Sequence, residues 1–104
     1  MGGTIYSYHI FVYGGPTGFG NNRAQITLFS TTGAVLAFLK FKGGGTLAAD
    51  SVAANGIITM NLPLDTFQSV VDILRNETPL HIYFSNGTAF FANASTEPVG
   101  EGED

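Results

Sequence analysis

PLDTFQSVVDILRN, residues 63–76, is the run in this chain whose apolar residues recur at helical spacing, and its surroundings read as strand and turn. Leu64, Phe67, Val70, Val71 and Leu74 form one stripe, with Gln68, Ser69, Asp72 and Arg75 off it. Pro63 suits a first helical position, where a missing N–H costs nothing. Asp65 would lie where negative charge meets the positive end of the helix dipole. Asn76 suits a left-handed stop and Pro79 prevents continuation. The pattern predicts one amphipathic helix at about 63–76.

On its C-terminal side, LHIYF, SNGT and AFFAN (residues 80–93) predict a hairpin with Asn86 and Gly87 as the two residues of a type I′ turn. In that register Ile82 faces Phe91, and Tyr83 faces Phe90 on the opposite surface. On its N-terminal side, Asn55-Gly56 marks a turn into a strand over 57–61. AVLAFLKFK (34–42) and RAQITLF (23–29) read as a hairpin joined by STTG. TIYSYHIFVY (4–13), rich in β-branched and aromatic residues, reads as a first strand. Residues 46–55 give no clear pattern and are assigned mostly to loop.

The order is therefore β-β-β-β-α-β-β: a single α+β domain over residues 1–96, with a mostly antiparallel sheet of about six strands. With one helix in the chain, no helix is left for other parallel crossovers, which argues for an antiparallel sheet rather than a parallel one.

The charge has a location. The net formal charge is -4, and Glu97, Glu101, Glu103 and Asp104 account for all of it. The remaining chain balances Asp50, Asp65, Asp72 and Glu77 against Arg23, Lys40, Lys42 and Arg75. An acidic end with Pro and Gly, residues 97–104, is expected to stay disordered. Only 12% of residues are charged, about half the usual share, while Phe numbers 9 and Tyr 4. The absence of Cys removes disulfides and thiolate chemistry from consideration. No stretch resembles a secretory signal or a membrane helix, so the expected setting is cytoplasmic, without a membrane partner.

YGGPTGFGNN (13–22) has the composition of a phosphate cradle but not its order. A P-loop needs Lys and then Ser or Thr after its last glycine, and Asn21 and Asn22 stand there instead. The loop also lies between two strands, whereas anion cradles open a helix. It is read as a long hairpin connection in which Gly and Asn supply positive φ angles and Pro16 fixes a turn, with Phe19 at its tip.

His9 and His81 sit in apolar strands with no carboxylate within four positions, so no triad or metal set assembles locally. The four acids of the body are scattered. No catalytic residue, cofactor or metal is expected, and the enzyme reading is left to His9 or His81 meeting a small ligand. Lys40 and Lys42 flank Phe41, and cations interleaved with aromatics hold single-stranded nucleic acid. Together with Arg23 they would form such a site, although four cations in a chain of net charge -4 supply little affinity for a polyanion.

Both faces of the strands at 4–13 and 34–42 are apolar, as in a sheet covered on two sides. One helix about 10 Å wide covers roughly two strands spaced about 4.8 Å apart. The sheet must fold over itself or meet another chain. Low charge and abundant rings favour a homo-oligomer, most simply a dimer. The sequence thus points to a non-enzymatic binding or structural module that self-associates through an aromatic-rich sheet. Tyr6, Tyr8, Phe11, Phe38, Phe41, Tyr83 and Phe90 are the candidate interface or ligand surface.

Overall fold

The N-terminal stretch that reads as one strand is two, because the chain turns a corner at Tyr6. The computed structural model describes residues 2–93 and has eight strands: β1 (Gly2–Ile5), β2 (Ser7–Val12), β3 (Asn22–Phe29), β4 (Val35–Lys42), β5 (Ser51–Val52), β6 (Ile58–Pro63), β7 (Leu80–Ser85) and β8 (Thr88–Asn93). A 3₁₀ turn, Leu64–Thr66, and one helix, α1 (Phe67–Asn76), lie between β6 and β7. The strands form two sheets, ordered β1-β7-β8 and β2-β3-β4-β6-β5. The class is α+β, with two mostly antiparallel sheets in a single domain rather than one sheet of six strands. The predicted tail at 97–104 lies outside the described residues.

The core forms between the sheets. Along the larger one, Ala24 pairs with Phe41, Ile26 with Leu39, and Leu28 with Ala37, so their side chains share one face. Ile58 and Leu62 of β6 continue that face, and all eight are buried. Leu80 and Ile82 of β7, Ala89 of β8, and Val70, Val71 and Leu74 of α1 belong to the same apolar cluster. Phe67 meets Phe41 edge-on, with ring centroids 5.0 Å apart. The second sheet supplies the cover that a single helix could not, and it comes from within the chain. The bulge opposite Phe29 also turns Leu36 toward the core, against simple alternation along β4.

The hairpin at 80–93 has the register that its turn residues dictate, with Ile82 opposite Phe91 and Tyr83 opposite Phe90. Asn86 and Gly87 take φ angles of 53° and 77°, as a type I′ turn requires.

One pair departs from the mostly antiparallel arrangement, and three further expectations need correction. β4 and β6 run parallel. Residues 43–57 make the crossover without a helix, since a parallel connection needs about a dozen residues of any conformation. Within that crossover β5 pairs antiparallel with β6, in a segment assigned to loop from sequence. The helix also starts later than Pro63, which has an extended ψ of 148° and ends β6. The 3₁₀ turn intervenes, so Leu64 is exposed rather than part of the buried stripe. Asn76 does not adopt a left-handed conformation; its side-chain amide donates to the Asp72 carbonyl at 2.8 Å, and Glu77 leaves the helix extended.

Candidate functional site

Candidate residues fall on two surfaces and one buried position. Phe41 is fully buried in the core and does not belong to any surface, a correction to its grouping with the interface residues. On a central strand its side of the sheet is covered by the second layer, which alternation in one strand does not reveal.

The first surface is the outer face of the five-stranded sheet. Strand register sets its rows: Phe11 opposite Gln25, opposite Lys40, opposite Asn61, and beside it His9, Thr27, Phe38 and Thr59. Along its β2 side runs a line of rings. The centroids of His9 and Phe11 are 4.3 Å apart, those of Phe11 and Tyr13 6.5 Å, and those of Tyr13 and Phe19 5.5 Å. Tyr8 faces the other way, half-buried against the core, and Tyr6 at the corner is 72% exposed.

Phe19 reaches that line because of how the glycine loop folds. Phe19 and Asn22 exchange both backbone hydrogen bonds at 2.9 Å, with Gly20 and Asn21 at φ 58° and 69°, which closes a two-residue type I′ turn. Gly18 approaches so closely that an added Cβ would lie 2.2 Å from the Asn22 carbonyl oxygen. Arg23 ties the loop down by donating from Nη1 to the Gly15 carbonyl at 2.7 Å. The loop connects strands β2 and β3, and Phe19 at its tip is 70% exposed.

The three candidate cations are not equivalent. Lys40 stands on the outer face, with Lys42 next to it along β4. Arg23 is engaged with the loop and lines a cleft of about 450 Å³ with Pro16, Thr17, Asn21 and Leu64. Lys42 lines a neighbouring cleft of about 370 Å³ with Leu47, Pro63 and Asp65. Residues 43–45 and Leu64 line both.

The second surface is the outer face of the three-stranded sheet. There Tyr83 and Phe90 stack with centroids 5.2 Å apart, and His81 lies 5.8 Å from Tyr83. Thr4 Oγ1 and His81 Nε2 share a hydrogen bond of 2.7 Å across β1 and β7. His9 and His81 therefore occupy different sheets. Among the described residues, no group of three or more His, Cys, Asp and Glu side chains is gathered where a metal ion could be held. No helix among them is long and apolar enough to cross a membrane.

The polar residue that sequence reasoning missed is Asp50. Its Oδ1 accepts the Asn61 backbone N–H at 2.7 Å and its Oδ2 accepts the Ala89 backbone N–H at 2.9 Å. One carboxylate thus joins β6 of the larger sheet to β8 of the smaller. Nothing in TLAADSVAAN announces this, because both partners are main-chain groups distant in sequence.

These features define a two-sheet α+β domain with ring-bearing outer faces. Comparison with protein-family models, with curated proteins and with solved structures gives no match.

Proposed function

We propose that the protein is a non-enzymatic binding or structural module that acts by self-association, most simply as a homodimer. The observation that supports this most is the continuous line His9, Phe11, Tyr13 and Phe19, together with the stacked Tyr83–Phe90 pair, on faces that neither sheet nor helix covers. Aromatic surface of this kind is enriched in interface cores, and a body with balanced charge offers little repulsion to a second copy. Tyr6, Phe11, Phe38, Tyr83 and Phe90 remain its surface candidates. Light scattering during size-exclusion chromatography should give a mass near a multiple of 11.0 kDa. A monomer at micromolar concentration would remove the proposal. Tyr83→Glu with Phe90→Glu then asks whether the hairpin face is the contact; an unchanged mass in a folded variant assigns the contact elsewhere.

A second reading, single-stranded nucleic-acid binding, is favoured by one observation: Lys40 shares its cross-sheet row with Phe11. Aromatic stacking beside a cation suits an unpaired strand. Salt-sensitive binding of an oligonucleotide, lost in Lys40→Ala with Lys42→Ala, is the expected result on this reading. No binding at low salt rejects it.

A further inference from the structure

The four edges of the two sheets are treated very differently: that of β1 is kept to four residues, and those of β5, β8 and β2 are longer or lie beside longer strands. At the β5 side, pairing stops after Ser51–Val52, yet the next amide of β6 facing that way is not left open, because Asp50 accepts the Asn61 N–H. The Asn61 side chain in turn donates to the Ala49 carbonyl at 3.0 Å. At the β8 edge the same Asp50 takes the Ala89 N–H. Such coverings are how proteins keep sheet edges from pairing with other chains.

β2 has none of these devices. It is six residues of SYHIFV with no charge, no proline and no register shift against β3. Its hydrogen-bonding direction follows from the Tyr13 N–H, which donates to the Arg23 carbonyl at 2.9 Å in the register of β2; the Tyr6 N–H, which donates to the Phe29 carbonyl opposite Ser7, belongs to the corner before the strand. Groups alternate along an antiparallel strand, so His9 and Phe11 also face β3, while Tyr8, Ile10 and Val12 present their N–H and C=O outward. The side chains of those three residues point to the core side of the sheet, opposite Leu28, Ile26 and Ala24. Tyr8 still packs against the core, but beyond it the cover ends: Ile10 is 36% exposed and Val12 73%.

We propose that β2 pairs antiparallel with β2 of a second copy about a two-fold axis at Ile10, joining the two five-stranded sheets into one. This names the contact for the self-association proposed above and rests on it. With Ile10 on the axis, Ile10 meets its own copy, and Tyr8 meets Val12 of the second chain in both directions. About six main-chain hydrogen bonds form from groups that have no partner among the described residues. The match is self-complementary because the strand is apolar at 8, 10 and 12 alike. It also covers the Ile10 and Val12 side chains that the second sheet leaves bare. On the outer face it sets His9 beside Phe11 of the other copy, so the two lines of rings become one double row.

The register makes the test specific. His9 and Phe11 of opposite chains form a non-hydrogen-bonded pair, with Cα atoms about 4.5 Å apart, inside the range that a disulfide spans. The native chain has no cysteine to interfere. Mild oxidation of an equimolar mixture of His9→Cys and Phe11→Cys chains should give mainly the mixed disulfide, well above the half expected of random pairing, and either variant alone should cross-link poorly. Random pairing, or no cross-linking from a protein that light scattering shows to be oligomeric, would overturn the β2 contact while leaving self-association intact. A native monomer would overturn both. Ile10→Pro provides an independent arm: it deletes an outward N–H and no bond to β3, so a folded variant should lose at least tenfold in association constant. An unchanged assembled mass in that folded variant also overturns the proposal.

Discussion

β2 and β4 are written in nearly the same alphabet and end in opposite environments. SYHIFV has no charge at all, yet five of its six residues are exposed. VLAFLKFK has two lysines, yet Ala37, Leu39 and Phe41 are buried and no residue of the strand is fully exposed. Position in the sheet makes the difference. β4 lies between β3 and β6 under the second sheet, whereas β2 has one neighbour among the described strands and extends past that cover. Hydrophobicity reports a strand's capacity for burial; its rank in the sheet decides whether that capacity is used.

The contrast is open to attack by substitution. Leu39→Ala, at a fully buried position, should lower unfolding free energy by about 2–5 kcal/mol, while Ile10→Ala in dilute protein should cost less than about 1 kcal/mol. Equal losses in urea titrations of the two variants would erase the distinction between centre and edge. Asp50→Ala strands two main-chain amides and should cost about 2–3 kcal/mol by the same measurement. Asp50→Asn, which keeps one acceptor oxygen, should recover part of that; no difference between the two would deny the carboxylate its bridging role. Gly87→Ala forces a Cβ into the left-handed turn and should cost about 1 kcal/mol, read as a lower thermal midpoint. Phe19→Ala, at a loop tip, should change stability by no more than about 0.5 kcal/mol. A larger loss would mean that the ring line supports the fold as well as the surface.

What could be read beforehand follows the same division between local and distant causes. The 80–93 hairpin is legible to the residue because Asn86-Gly87 dictates turn and register locally. The helix is legible in type but not in its start, since Pro63 is equally at home ending a strand. The glycine loop is legible as a connection because its missing lysine and its flanking strands are local facts. The corner at Tyr6 is not, for TIYSYHIFVY has the same pattern whether one sheet or two receive it. The parallel pairing of β4 with β6 and the bridging by Asp50 depend on where residues 43–57 travel, and no short-range signal encodes that path. Of the candidate surface, the rings of β2 and the Tyr83–Phe90 pair are found by composition and register. Phe41 is misplaced because alternation names two faces without saying which one is covered.

Asp50 also bears on how the molecule opens. A single acceptor group holds one amide from each sheet, Asn61 in β6 and Ala89 in β8. Because Asp50 stands next to β5 in the larger sheet, separating the sheets releases the Ala89 proton, whereas the Asn61 proton is released only when the Ala49–Asp50 segment leaves β6. In hydrogen–deuterium exchange the Ala89 amide should therefore report the parting of the two sheets and the Asn61 amide the detachment of the β5 segment, both exchanging more slowly than amides at strand edges ordinarily do. In Asp50→Ala both rates should rise, each then reporting the local breathing of its own strand.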